Sequence, residues 1–289
     1  MINFPCFICL QKQSLDTMKR LKIEDSIQEK TLRKIMELLL NIDWSLSSDE
    51  LENEVNIVFR REIGNADPFK QIKDINNKES MKLVEAIKEK IKQTDADKKI
   101  AKAALAAVAG NIIDFGPGKN FNVGKTLQRF LNKKRLPTDF NYLREELLTA
   151  NTILYFLDNA GEIVFDKLFL ETINSVRNKP FSRISLVVKG GPFVNDATLI
   201  EALSIGMNEI PNVEFRKIGN GEPETGPNRK SAIVEKWIKE HDIVLSKGQA
   251  NYAGLHTYKN IYFLLIAKCA HSASVLNVPE GSLIIKRSI

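Results

Sequence analysis

The sequence predicts an α/β protein in which an all-helical N-terminal region, residues 1–150, precedes a largely parallel sheet built from residues 151–289. Three observations carry this. Short apolar runs rich in β-branched or aromatic residues occur at 152–157 (TILYFL), 184–189 (ISLVVK), 213–218, 242–246 (DIVLS) and 261–267. Helix-length segments at 163–176, 196–207 and 230–240 separate most of them, the alternation expected of a sheet whose parallel strands are buried on both faces. No strand-like alternation precedes residue 150.

The helices follow in order. Residues 8–21 form the first. Ile27, Leu32, Ile35, Met36 and Leu39 give a helical face over 26–40. Ser47 with Glu50 three residues later is a capping box that opens a helix through residue 60. Turn chemistry at Gly64-Asn65-Ala66-Asp67-Pro68 ends that stretch. Two more helices are expected at 78–93 and, Ala-rich and closed by Gly110, at 95–109.

The bulk numbers narrow the function. With 289 residues, 43% hydrophobic and 27% charged, the chain has ordinary globular composition and enough length for a substantial core. No stretch reaches the ~20 apolar residues of a membrane span. The first ten residues lack a basic leader and a small-residue cleavage site, so a cytoplasmic enzyme is expected. The net charge of +6 comes from 42 basic and 36 acidic residues that are interspersed, which suits a mixed solvated surface better than a nucleic-acid face. Cys6 and Cys9 form a lone CxxC and Cys269 lies far downstream. That does not complete a structural zinc site; packing of two small residues on one helix face is the plainer reading, and a redox or accessory-metal role is the alternative.

Ligands of open α/β sheets bind beyond the carboxyl ends of the parallel strands. Here those ends read Asp158-Asn159-Ala160-Gly161-Glu162, then Gly190-Gly191-Pro192-Phe193-Val194-Asn195-Asp196, then Lys247-Gly248-Gln249-Ala250-Asn251. Asp158, Asn159 and Asp196 offer hard oxygens for Mg²⁺ or Mn²⁺. The glycines permit backbone amides to approach phosphate oxygens, and a cation with one or two lysines supplies much of what phosphoryl transfer needs. Each residue also has a plainer reading: Asp158 and Asp196 as helix N-caps, Gly190-Gly191 as a turn, Lys247 as a solvated lysine. No GxxxxGK[ST] loop, no GxGxxG after the first strand and no GxSxG elbow is present.

The blocks FPCFIC (4–9), DPF (67–69), GNIID (110–114), LDNAGE (157–162), VVKGGPFVNDAT (187–198), SKGQANY (246–252) and LLIAKC (264–269) together resemble the damage-control phosphatase family, and the CxxC start resembles its archaeal and prokaryotic subfamily. The resemblance implies a helical subdomain on a three-layer α/β/α, Rossmann-like core. It also implies hydrolysis of phosphate esters supported by Mn²⁺, Mg²⁺, Co²⁺ or Ni²⁺. The family's metal ligands fall on Asp158, Asn159 and Asp196, its substrate-contacting glutamate on Glu162, and its substrate loop on Gln249–Asn251. Its phosphate-binding lysine falls on Lys268, with Lys247 as a helper and Gly190, Gly191 and Gly248 lining the phosphate cradle. Asn111 is expected near the cleft and Asp114 as a site residue or a loop cap. Ala253 departs from the glutamate or arginine that relatives often carry.

The expected function is therefore metal-assisted hydrolysis of small phosphorylated metabolites such as sugar phosphates, cofactor intermediates or nucleotides. Asp158 is read as a metal ligand in preference to a covalent nucleophile. An S-adenosylmethionine-dependent carboxyl methyltransferase, also proposed within the wider family, and a noncatalytic binder of phosphometabolites or nucleic acid are the alternatives.

Overall fold

The computed structural model describes residues 4–111, 137–219 and 229–288, and every described element before Thr152 is a helix. Helices α1 (Phe4–Arg20), α2 (Asp25–Asn41) and α3 (Ser48–Ile63) come first, then α4 (Lys70–Lys92), α5 (Ala96–Gly110) and α6 (Phe140–Thr149). The capping box at Ser47 and Glu50 is formed, and Gly64, left-handed at φ 68°, closes α3. Helix α4 starts eight residues before the expected position: Asp67 accepts the Phe69 amide and the Lys73 ammonium, which starts the helix directly after the turn. Gly110 lies inside α5, and Asn111 follows as its C-cap.

From residue 152 strands and helices alternate: β1 (Thr152–Phe156), α7 (Glu162–Val176), β2 (Arg183–Lys189), α8 (Leu199–Ser204), β3 (Val213–Ile218), α9 (Ala232–Lys239), β4 (Ile243–Lys247), α10 (Gln249–Leu255), β5 (Ile261–Ile266), α11 (Ala270–Leu276) and β6 (Leu283–Arg287). The sheet order is β3-β2-β1-β4-β5-β6. All neighbours are parallel except β5 and β6, which are antiparallel. The helix expected at 196–207 is shorter, because its N-cap is Thr198, whose side chain completes a second capping box with Glu201. Helices α6, α10 and α11 and strand β6 were not anticipated. The three helices are only seven to ten residues long and β6 five, too short for a periodic signal to stand out.

Side chains alternate across the strands, and both faces are covered. On one face Ile153, Tyr155, Leu157, Leu186, Leu245 and Leu264 join a core with α4, α5, α6 and α7. On the other Leu154, Phe156, Val187, Val244 and Phe263 pack with Val234 of α9, Leu255 of α10 and Leu276 of α11. The result is three layers, α/β/α. Helices α4–α6 thus share the core of the sheet. Helices α1–α3 hold a cluster of their own around Met18, Ile35 and Leu51, joined by Phe193 and Val194 from the loop after β2. Between β1 and β4 the strand order reverses direction, and a crevice at such a switch point is where this architecture binds ligands.

Candidate active site

The ends of β1, β2 and β4 converge on this switch point. Beyond β1, the Ala160 amide donates to the Asn195 carbonyl (2.9 Å) and the Ala197 amide to the Asp158 carbonyl (2.8 Å). These two bonds bracket Asn159 and Asp196, which face each other as an isolated antiparallel bridge. Such a pair is the narrow kind, with Cα atoms about 4.5 Å apart and side chains close together. Two residues 37 positions apart are thereby placed side by side. From the β4 side Gly248 closes in on Asp158: a Cβ added there would lie 1.9 Å from Asp158 Oδ2, and φ at Gly248 is +77°. Only glycine leaves room for that carboxylate.

The capping readings of the two acids do not hold. Gly161 precedes α7 and Thr198 caps α8, so Asp158 and Asp196 keep their carboxylates free of both helix ends.

Amides hold the acids in place. Asp158 Oδ2 accepts from Asn111 Nδ2 (3.1 Å) and Asn159 Nδ2 (2.8 Å). Glu162 Oε2 accepts from the same two groups, at 2.6 and 3.1 Å. Asp196 Oδ2 lies 3.1 Å from Lys189 Nζ. Asp158, Glu162 and Asp196 are all buried. Burial first, then the charges of Asp196 and Glu162, push the Asp158 carboxyl well above its ordinary range, with Lys189 and Lys268 opposing. For Glu162 burial also acts upward, but Lys247 and Lys268 outweigh it and hold that carboxyl below its usual value.

Behind Glu162 lies a buried ion cluster. Lys247 Nζ sits 2.5 Å from Glu162 Oε1 and 2.8 Å from Asp166 Oδ1, and it donates to the Ala107 carbonyl at 2.8 Å. Tyr155 Oη donates to the same Asp166 oxygen (2.7 Å). All three charged side chains are wholly inaccessible. Burial lifts Asp166 to about 6 while Lys247 works against it.

Several sequence expectations change here. Lys247 does not line a cleft: its three partners consume the ammonium inside the core, so it braces Glu162 from behind. Asn251, in the expected substrate loop, is buried, and its amide is spent on Arg229 Nε (2.7 Å), the Leu157 carbonyl and the Lys247 carbonyl. The Gly190 and Gly248 amides, expected to cradle phosphate, donate to the carbonyls of Ile218 and Leu264. Their sheet bonds leave no proton for a ligand, and Gly248 serves through its missing side chain instead. Gly191 lies partly exposed in the loop after β2 and Gln249 opens α10. Lys268 is exposed just beyond β5, near enough for its charge to act on Asp158 and Glu162. Asp114 lies outside the described residues.

Sequence reasoning missed Lys189 and Asp166. Lys189 is the last residue of β2, directly before the glycine pair, and the strand-end rule that found Asp158 applies equally to it. Asp166 stands four residues after Glu162 among the apolar residues of the first turns of α7, and two acids on one buried helical face call for a cation.

The donor set fits a hard divalent ion. Asp158 and Asp196 supply anionic oxygens and Asn159 an amide oxygen, hard donors without thiolate or imidazole. Four buried carboxylates, Asp158, Glu162, Asp166 and Asp196, stand against three lysines whose charges act on them, Lys189, Lys247 and Lys268, and a bound cation would offset that excess. Among the described residues no group of three His, Cys, Asp or Glu side chains is already drawn together tightly enough to hold a metal, so the amide oxygen and the substrate itself would complete such a site.

Comparison with known proteins agrees with this architecture. A Methanocaldococcus jannaschii protein carrying no functional description is 30% identical over 98% of this chain and 94% of its own length. A damage-control phosphatase of Pyrococcus horikoshii is 32% identical over 78% of the chain and 76% of its own length, and one of Archaeoglobus fulgidus 28% identical over 78% and 77%. The crystal structure of a DUF89 family protein from P. horikoshii superposes with a TM-score of 0.84 at 27% identity, covering 100% of this chain and 99% of that one. The model of the damage-control phosphatase ARMT1-like domain matches residues 3–284, and the chain belongs to that family.

Proposed function

We propose that this chain is a phosphatase that releases phosphate from small phosphorylated metabolites with the help of one divalent cation held by Asp158, Asn159 and Asp196. The observation that carries the reading is the narrow pairing of Asn159 with Asp196 beside an Asp158 carboxylate that Gly248 makes room for. Relatives over most of the chain named as damage-control phosphatases supply the reaction class. When bound, the cation supplies Lewis-acid neutralisation of phosphate oxygens.

The chain's own residues do the rest. Asn111 ties Asp158 to Glu162 through one amide and fixes the rim of the crevice. Lys189 holds Asp196, and Lys247 holds Glu162 ionised from behind. Lys268, exposed just beyond β5 with its charge acting on Asp158 and Glu162, would meet an incoming phosphate and balance the charge that grows on its oxygens. Positioning and charge neutralisation are the main demands of phosphoryl transfer. Mn²⁺, Mg²⁺, Co²⁺ and Ni²⁺ all suit the donor set, and the three free thiols suit a reducing cytoplasm.

The test is phosphate release from a panel of sugar phosphates, phosphorylated cofactor intermediates and nucleotides, with each metal and with chelator. Asp158→Ala, Asn159→Ala and Asp196→Ala should each abolish release and weaken metal binding while thermal unfolding stays cooperative. Full activity in all three variants, or activity indifferent to chelator, would overturn the assignment.

A further inference from the structure

All three cysteines of the chain line one cavity on the outer side of α10, although 260 residues separate Cys9 from Cys269. The cavity has a volume of about 370 Å³, and His271 also lines it. Cys6 and Cys9 stand three residues apart on α1 and so share a helical face. Cys269 is the N-cap of α11, with His271 two residues on. The packing explanation holds for Cys6 alone, which lies half-buried against the α1–α3 cluster, whereas Cys9 and Cys269 are exposed. Folding thus turns a lone CxxC into a CxxC facing a CxH, the Cys₃His complement of tetrahedral zinc sites.

We propose that Cys6, Cys9, Cys269 and His271 form a second metal site, with ligands distinct from Asp158, Asn159 and Asp196 and in a cavity that also reaches Gln249 of the expected substrate loop, that takes a thiophilic divalent ion of the zinc class. Binding forms three metal–sulfur bonds and one metal–nitrogen bond, and the three thiol protons pass to solvent. The side chains are not yet closed on such an ion. Cys6 Sγ rests 3.6 Å from Ser48 Oγ and Cys269 Sγ 3.4 Å from Ser272 Oγ, so metal binding exchanges two weak hydroxyl contacts for coordination. An ion held there would clamp α1 to α11 and fix the backbone beside Lys268, the residue before Cys269.

The site is tested on the full chain, reduced and stripped of metal, by titration with Co²⁺ and then Zn²⁺. One equivalent of Co²⁺ should produce thiolate-to-cobalt charge-transfer absorption, which oxygen ligands do not give, and Zn²⁺ should abolish it. In the unaltered protein one equivalent of Zn²⁺ should protect all three thiols from a disulfide-exchange reagent, a readout independent of whether variants fold. Cys9→Ser and Cys269→Ser should each lose the band, whereas Asp196→Asn should keep it. Absence of the band, its survival in Cys269→Ser, or thiols left fully reactive under Zn²⁺ would each overturn the proposal.

Discussion

Lys247→Met tests the buried ion cluster most directly. The substitution keeps the length of an apolar side chain but removes the one ammonium that serves Glu162, Asp166 and the Ala107 carbonyl. Two carboxylates with no solvent access lose their direct cationic partner, and breaking a buried pair by removing one partner costs about 3–5 kcal/mol. Loss of the carbonyl contact adds to this, so a deficit near the upper end, about 5 kcal/mol, is expected at pH 8 against a total stability of about 5–15 kcal/mol. The pH dependence has a definite sign. In the unaltered protein Lys247 holds Glu162 low and keeps Asp166 from rising beyond about 6. Without it both folded-state values rise above their unfolded ones. A group raised in this way favours the folded state below the unfolded value, and that favour is lost as pH climbs through the folded value. The deficit of Lys247→Met should therefore shrink steadily from pH 8 to pH 5.5. Equilibrium urea unfolding of both proteins at each pH measures it. A deficit under about 1 kcal/mol at pH 8, or one that does not change with pH, would refute the account of a charged, desolvated cluster.

Two further outcomes follow from single contacts. Gly248→Ala must place a methyl group 1.9 Å from Asp158 Oδ2 in a left-handed backbone, so phosphate release and metal affinity should fall together while far-ultraviolet circular dichroism is kept; an active variant would show that Asp158 can be displaced without harm. Asp242 Oδ2 accepts the Asn151 and Thr152 amides at 2.8 and 2.9 Å, and although burial acts upward these bonds hold its carboxyl low. Asp242→Ala should cost about 1 kcal/mol at pH 7, and because a lowered group stabilises above its unfolded value of about 3.9 and loses that as pH falls through the lower folded value, the cost should begin to shrink below pH 4; a cost that stays constant as pH falls further would contradict it.

Much of the fold could be read in the residues themselves. The β1, β2, β4 and β5 runs are continuous apolar stretches because both faces of the sheet are covered, and the Ser47–Glu50 box acts over three residues, so local chemistry alone sets it. The Asp158, Asn159 and Asp196 rim was also accessible, because strand ends are marked in sequence by where apolar runs stop. The family resemblance added roles that spacing alone left open.

What the sequence could not carry was direction and accounting. Lys247 and Asn251 sit in the same strand-end block as Gly248, yet both turn inward, since a strand sends successive side chains to opposite faces and a seven-residue helix decides which face of α10 meets the core. Whether Gly190 offers its amide to a ligand depended on Ile218, on a strand 28 residues away. The sequence by itself determined the run of helices followed by alternating strands and helices, and the strand-end acids, because these follow from local periodicity and from where it ends. Only the tertiary structure decided which lysine faces solvent, which acid has a buried partner, and that three scattered cysteines share one cavity, because those depend on contacts between segments that chain order does not bring together.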